Sequence, residues 1–235
     1  CSILGYFNSK LSYEEIVKQN LFMSHRGPDN STVQKYGFKN NNLFLGHNRL
    51  SIQDLATHAN QPMENERFAI VFNGEIYNHF EIRNQLQHSS YKTTSDTETL
   101  LFAFSELGIE KTINKLIGMF AIALFDKQDE KFYLIRDRVG IKPLYWTFQN
   151  GEFAFASELK GLSNHLKINV SNKSLIQFMS LGYIPDNASY YKNIHKLQPA
   201  HMLTFDGNHV DIQRYWDLSS KKISVSYDEA LEEAE

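Results

Sequence analysis

The 235-residue sequence contains one cysteine, so no internal disulfide framework can form. No apolar stretch approaches the roughly 18 residues that a membrane span requires. The longest, 119–125, has the length of a strand. A basic excess is also missing: 24 Lys and Arg stand against 27 Asp and Glu, a net charge of −3. That balance carries no electrostatic footprint for nucleic acid. No basic segment followed by an apolar one opens the chain, so a signal peptide is not expected. The initiator methionine is absent; either the chain has been trimmed, or methionine removal leaves Cys1 as the amino terminus. The lone thiol fits a reducing compartment, the cytoplasm. What remains is an ordinary globular composition, 42% hydrophobic and 22% charged, long enough to bury a sizeable core.

The chain opens on an apolar strand, 1–7. Ser12 and Glu15 form a capping box, and Tyr13, Ile16, Val17 and Leu21 follow at helical spacing. Residues 25–29, His-Arg-Gly-Pro-Asp, read as a turn. Strands are expected at 31–36, 43–48 and 67–72. The last of these ends at Asn73-Gly74, a pair that tolerates positive φ. Helices are expected from Asn78, with Phe80, Ile82 and Leu86 as apolar residues, and from Asp96 as N-cap. From Gly118 the pattern turns to strands at 119–126, 131–136, 144–148 and 153–157. Short helices follow at 158–163 and 174–181, then a hairpin, 201–205 and 210–216, around Asp206-Gly207. Beyond Trp216 the texture becomes polar at 221–226 and acidic at 227–235, as in a linker entering another domain. There is no internal repeat. Strands and helices come in runs, which predicts α+β layers rather than alternating βαβ units.

Four places could carry chemistry. An N-terminal cysteine needs no partner histidine, because its own α-amino group can act as base; the ordinary pKa values are about 8 for the amine and about 8.5 for the thiol. A trimmed chain or a lipoprotein could also begin with cysteine, although a lipoprotein continues with a polar tether rather than a core strand. Asn73-Gly74-Glu75 offers a side-chain amide and a glycine N–H as donors to an oxyanion, or is a plain Asn-Gly turn. Arg49 is a natural bidentate partner for a carboxylate, or a structural ion-pair residue. Asp96 is a helix cap or, with its second oxygen, a partner for an ammonium. Together, Cys1, Arg49, Asn73, Gly74, Glu75 and Asp96 supply what a free amino acid bearing a reactive amide would require. His25, His47 and His79 are scattered and read as polar structural residues, so no metal site is expected.

The motifs CSILGYF, HRGPD, GHNRLSI, NQPM, FNGEIYNH, SDTETLL, GMFAIALFD, RDRVGIKPLYW and ASELKGL occur in this order between Cys1 and Trp216. In that order and spacing the chain resembles the glutaminase domain of glutamine-dependent asparagine synthetases, a class II amidotransferase. The resemblance implies the N-terminal-nucleophile fold: α+β, a four-layer αββα sandwich of two antiparallel sheets. It implies Cys1 as nucleophile, Asn73 and Gly74 as oxyanion hole, and Arg49 on the glutamine carboxylate. Asp96 and Glu75 would hold the ammonium, Leu50, Ile52 and Gln53 would line the pocket, and Arg26 would support it. It further implies a domain at 1–216, with 217–235 as linker and start of a synthetase domain whose SGGLDSS-type pyrophosphate loop is nowhere in this sequence. The glutaminase domain needs no cofactor; ATP and Mg belong to the synthetase domain. The expected partners are L-glutamine and that domain, with room for a homodimer and none for nucleic acid or membrane. Branch members also aminate polysaccharide or antibiotic precursors, so the acceptor stays open between aspartate and these. An N-terminal-nucleophile acylase or peptidase and a non-catalytic glutamine-binding domain are the other readings.

Overall fold

Side chains alternate across a strand, so odd- and even-numbered residues of one strand face opposite layers. In β1 (Ser2–Phe7) all six residues are buried. Ile3 and Phe7 enter the core between the sheets, while Leu4 and Tyr6 pack under helices. The computed structural model describes residues 1–163, 169–185, 188–218 and 226–234.

After β1 come α1 (Tyr13–Leu21), β2 (Asn30–Phe38), β3 (Asn41–Arg49), β4 (Met63–Glu64), β5 (Phe68–Ile76), α2 (His79–Arg83), α3 (Asp96–Leu107) and α4 (Ile109–Lys115). Then follow β6 (Gly118–Asp126), β7 (Lys131–Arg136), β8 (Tyr145–Gln149), β9 (Glu152–Ala156), α5 (Lys160–Ser163), α6 (Asn172–Leu181), β10 (His195–Lys196), β11 (His201–Phe205), β12 (Val210–Arg214) and α7 (Tyr227–Ala234). One six-stranded sheet runs β10-β8-β9-β1-β3-β2 and the other β12-β11-β7-β6-β5-β4. Their ladders are antiparallel. Helices α2, α3 and α4 cover the outer face of the second sheet, and α1 and α5 that of the first. The four layers are the expected αββα sandwich. The capping box at Ser12 and Glu15 and the terminal hairpin β11–β12 are present. Most of the expected linker, 219–225, lies outside the described residues. No described helix is long and apolar enough to cross a membrane.

The core between the sheets changes character along its length. At the end remote from Cys1 it is filled with rings: Phe153 stacks on Phe205 at 4.6 Å, and Phe7 meets Phe38 at 4.8 Å. Each such buried ring contributes about 1.5–3 kcal/mol. Toward Cys1 the same inward-facing parity turns polar, at His47 and Arg49 on β3 and at Asn73 and Glu75 on β5. A sandwich plugged with aromatics at one end and lined with polar groups at the other leaves its cleft at the second.

Two local expectations fail here. Asn73-Gly74 is not a turn. β5 continues through both residues to Ile76, and neither residue has positive φ. The pairs Asn73↔Ala121 and Gly74↔Phe120 hold them in the ladder with β6. A true Asn-Gly turn occurs at Asn150-Gly151, where both residues have positive φ and join β8 to β9. Asp96 is not the N-cap of α3 either. Ser95 is, accepting from Glu98 N, which frees the Asp96 carboxylate for other partners. The short pieces β4, α4 and β10 were not anticipated, and Phe80 of α2 faces solvent.

Candidate active site

Register brings the site together. β1 pairs with β3 so that Ser2 lies opposite Asn48, which sets Cys1 beside the end of β3 at Arg49. A buried network fixes this junction: Asn48 donates to Ser2 Oγ (3.0 Å) and to Asn20 O (2.8 Å), and Asn20 donates to Ser31 Oγ (3.0 Å). Arg26 clamps Cys1 from the other side. Its carbonyl accepts from the Cys1 amine at 2.9 Å, and its Nε donates to the Cys1 carbonyl at 3.1 Å. Glu158 holds the rest of that guanidinium through Nη1 at 3.0 Å. Gly27 permits the close approach, since a Cβ there would stand 2.3 Å from Asn48 O.

One cleft is lined by Cys1, Arg49, Leu50, Ile52, Gln53, Gly74, Glu75 and Asp96, all anticipated from the sequence. Asn73 and Arg26 are not among the lining residues; Asn73 adjoins Gly74 on β5, and Arg26 bonds the backbone of Cys1. His47, Gln61, Phe72 and Thr97 also line it and were not singled out as pocket residues. The inward parity of His47, two residues before Arg49 on one strand, is the signal that could have found it.

Burial lowers the Cys1 amine to about 6, helped by the positive charges of Arg26 and Lys142. Leu50 N–H points at Cys1 Sγ from 3.4 Å. Leu50 O faces the same sulfur at 3.7 Å, so this residue offers it both a donor and an acceptor.

Gly74 sits at a close crossing. Across the ladder, Phe120 directs its N–H and C=O to Asp137 (3.2 and 2.9 Å), so the pair Gly74↔Phe120 exchanges no hydrogen bonds. Gly74 therefore turns its N–H to the opposite edge, toward the cleft. Its neighbours on that edge are capped by side chains: Phe72 N–H by Gln61 Oε1 (2.5 Å) and Ile76 N–H by Asp96 Oδ2 (3.0 Å). Among the described residues no side chain caps the Gly74 N–H. A Cβ at this position would lie 2.1 Å from Met119 O, so the crossing itself requires glycine. Beside it, the buried Asn73 Nδ2 has no acceptor among the described residues.

The buried Arg49 guanidinium donates to Ala56 O (2.9 Å), Asn60 Oδ1 (2.7 Å), Gln53 O (3.3 Å) and Asp54 O. All four acceptors are neutral, and no carboxylate among the described residues pairs with it. The loop 50–56 thus folds around a positive charge. Asp29 accepts from Ser51 N (2.7 Å) and Asp54 from Thr94 N (2.8 Å), pinning that loop to the HRGPD turn and to the start of α3. Asp96 is raised to about 6 by burial, with the Glu75 charge adding to the shift. Glu75 itself accepts from Gln53 Nε2. His47 is lowered to about 3 by complete burial, reinforced by the Cys1 amine and Arg49.

The fold is thus a two-sheet αββα sandwich with the thiol and amine of Cys1 at the head of its first strand and Asn73 and Gly74 on the facing sheet. Solved structures share the fold. The Bacillus subtilis glutamine phosphoribosylpyrophosphate amidotransferase complexed with ADP and GMP superimposes with a TM-score of 0.66 at 18% identity, covering 92% of this chain and 49% of that one. A glutamine aminotransferase class-II domain protein from Silicibacter pomeroyi gives 0.54 at 15% identity, covering 91% and 99%. Residues 1–216 match the glutamine amidotransferase domain family, and the chain belongs to it. Its relatives include glutamine-hydrolysing asparagine synthetases 1 and 3 of Bacillus subtilis. They are 35% and 32% identical to it and align with 99% and 98% of this chain. A Methanocaldococcus jannaschii protein, provisionally named glutamine-hydrolysing asparagine synthetase 2, is 35% identical over 99% of the chain. The chain spans 50%, 39% and 38% of the length of the archaeal protein and of Bacillus subtilis synthetases 3 and 1, respectively.

Proposed function

We propose that this chain hydrolyses the side-chain amide of glutamine at Cys1 and passes the ammonia to an ATP-dependent synthetase domain; that its relatives are named glutamine-hydrolysing asparagine synthetases supports the reading. The observation that carries the reading is the buried Asn73 Nδ2, which has no acceptor among the described residues, next in sequence to Gly74, which lines the cleft that holds the Cys1 thiol and whose N–H points away from β6. An oxyanion is an acceptor suited to both donors.

The thiol gives its proton to the Cys1 amine, and sulfur attacks the δ-carbonyl of glutamine. The tetrahedral oxyanion is held by Asn73 and Gly74. As it collapses, the C–N bond breaks and the amine returns the proton to the leaving ammonia, leaving a glutamyl thioester. Water then adds to the thioester and glutamate departs. The α-ammonium sits by Asp96 and Glu75, and the α-carboxylate by Arg49, where it replaces loop carbonyls as partners of Nη2. Leu50, Ile52 and Gln53 form the wall, and Arg26 fixes the nucleophile. The hydrolytic half uses no cofactor; ATP and Mg serve the acceptor domain, with aspartate as acceptor. A cytoplasmic setting suits the lone thiol.

A polarity of the surface supports a partner over this end. Leu50, Ile52, Leu55, Ile117, Val139 and Ile141 are exposed on loops around Cys1. The turns at the far end, 39–40, 127–130, 150–151 and 206–209, carry only polar residues and glycine. An apolar collar at the product's exit is what a docked domain would cover.

The direct test is incubation with glutamine, where glutamate and ammonia should appear in equal amounts; no release from a chain with a free Cys1 amine would reject the reading. Arg49→Lys should raise the KM for glutamine about 10-fold or more with little change in kcat, because the planar fork is lost while the chemistry is untouched. Unchanged KM would place the carboxylate elsewhere.

A further inference from the structure

We propose that His47 is a positioning residue for the second half of the reaction: its imidazole anchors the water that hydrolyses the thioester at Cys1. The inference rests on the glutaminase reading above and extends it to a residue with no role there.

His47 lies on the inward face of β3, opposite Ile3 of β1 and two residues before Arg49. It is fully buried and yet lines the cleft that holds Cys1. The Phe72 backbone is a hydrogen-bonding partner for one side of the ring, although neither nitrogen makes a bond of good geometry, and the other side has no partner among the described residues. An imidazole in this state is costly, and an aliphatic side chain such as the inward-facing Leu45 would avoid the cost.

The other parts of the reaction already have partners. Arg49 and Asp96 take the α-groups, Asn73 and Gly74 the oxyanion, and the Cys1 amine the proton. The attacking water is the one reactant left without a protein group to orient it. A neutral imidazole presents one donor and one acceptor, which suits a water molecule. Complete burial, with the Arg49 charge nearby, keeps the ring neutral, so it cannot compete with the amine as base. In the step itself, the water oxygen bonds to the thioester carbon, its proton goes to the Cys1 amine, and the C–S bond breaks. The sulfur leaves as thiolate and regains its proton from the amine.

The test compares His47→Leu and His47→Asn with the unsubstituted chain by rapid quench with glutamine, alongside melting temperature. In His47→Leu, ammonia should appear in a burst equal to the enzyme concentration. Glutamate formation should be slower by about 10²-fold, the scale of a misplaced reactant. Intact mass should show a glutamyl adduct on Cys1. His47→Asn, which keeps a donor and an acceptor, should recover part of the glutamate rate. If His47→Leu does not fold, a burst and adduct in His47→Asn, against none in the unsubstituted chain, supports the same conclusion. Ammonia and glutamate falling together in the folded variants with no adduct, or both remaining at the original rate, overturns it. If the unsubstituted chain itself releases no ammonia, the reading of Cys1 fails instead.

Discussion

Cys1→Ala is expected to lose glutamine hydrolysis by about 10⁴-fold or more, the scale on which deletion of a nucleophile falls, while still binding glutamine. The two effects separate because sulfur is the reacting atom, whereas the groups assigned to the α-carboxylate and ammonium, Arg49 and Asp96, are held by contacts independent of it. Arg49 is fastened by carbonyls of loop 50–56 and by Asn60. Asp96 is fastened by Ile76 N–H. The clamp from Arg26 reaches only the backbone of Cys1, so removal of Sγ leaves it in place. Calorimetry of the variant with glutamine, beside an ammonia assay, checks both halves. Residual turnover within 10-fold of the original would remove Cys1 from the chemistry, and loss of binding would show that the thiol organises the pocket. A glutamine-like chloroketone should label Cys1 in the original and nothing in the variant.

Converting the Cys1 amine to an amide, by a retained methionine, an acetyl group or a tag, should cost about 10²–10⁴ in rate, the usual contribution of a general base. Buried beside Arg26 and Lys142, the amine is lowered from its ordinary 8.0 to about 6. The sign follows from that direction. The free base is the working form, so activity is present above the lowered pKa and is lost as pH falls through it. At pH 7 roughly nine-tenths of the amine is free, where an amine of ordinary pKa would be mostly protonated. The acid limb of kcat/KM, which reports the free enzyme, should therefore be centred near pH 6, not near 8. Asp96, raised to about 6 mainly by burial, loses its charge over the same range and should steepen that limb. Asp96→Asn should remove the extra steepness and leave the single amine step in kcat/KM. A blocked amine with full activity, or a kcat/KM limb near pH 8, would mean that another base serves the thiol. The blocked protein should melt at nearly the same temperature, although it gives up the 2.9 Å bond to Arg26 O in its original form.

Much of this was legible in one dimension because the chemistry is written in short local motifs. Cys1, Arg49, the Asn73-Gly74-Glu75 run and Asp96 were all identifiable by residue type, and the cleft gathers most of them. The long strands were legible for a similar reason, since apolar runs such as 119–125 and 132–135 are unambiguous. Element boundaries set by a distant partner were not. Asn73-Gly74 and Asn150-Gly151 are the same dipeptide after similar strands, yet one stays in a ladder and the other turns. The difference is β6, which runs alongside residues 68–76 and fills the far side of the first pair. In the same way the cap of α3 falls to Ser95, because Asp96 is drawn to the Ile76 N–H across the sheet edge.

By itself the sequence determined an α+β arrangement of layers, through periods of two and 3.6, and through residue identity it offered Cys1 as a candidate nucleophile among groups that suit a free amino acid; the sandwich and the glutamine roles came from the resemblance of its motifs. Only the tertiary structure decided which of those groups are free to act. The Arg49 charge is met by neutral carbonyls, the Gly74 N–H faces away from the ladder because Phe120 bonds to Asp137 instead, and the buried imidazole of His47 keeps one side without a partner among the described residues. Each of these facts depends on which polar groups are already satisfied. That is settled by the register and packing of strands distant in sequence, where each hydrogen-bonding group is either paired by a neighbour or left open to a ligand.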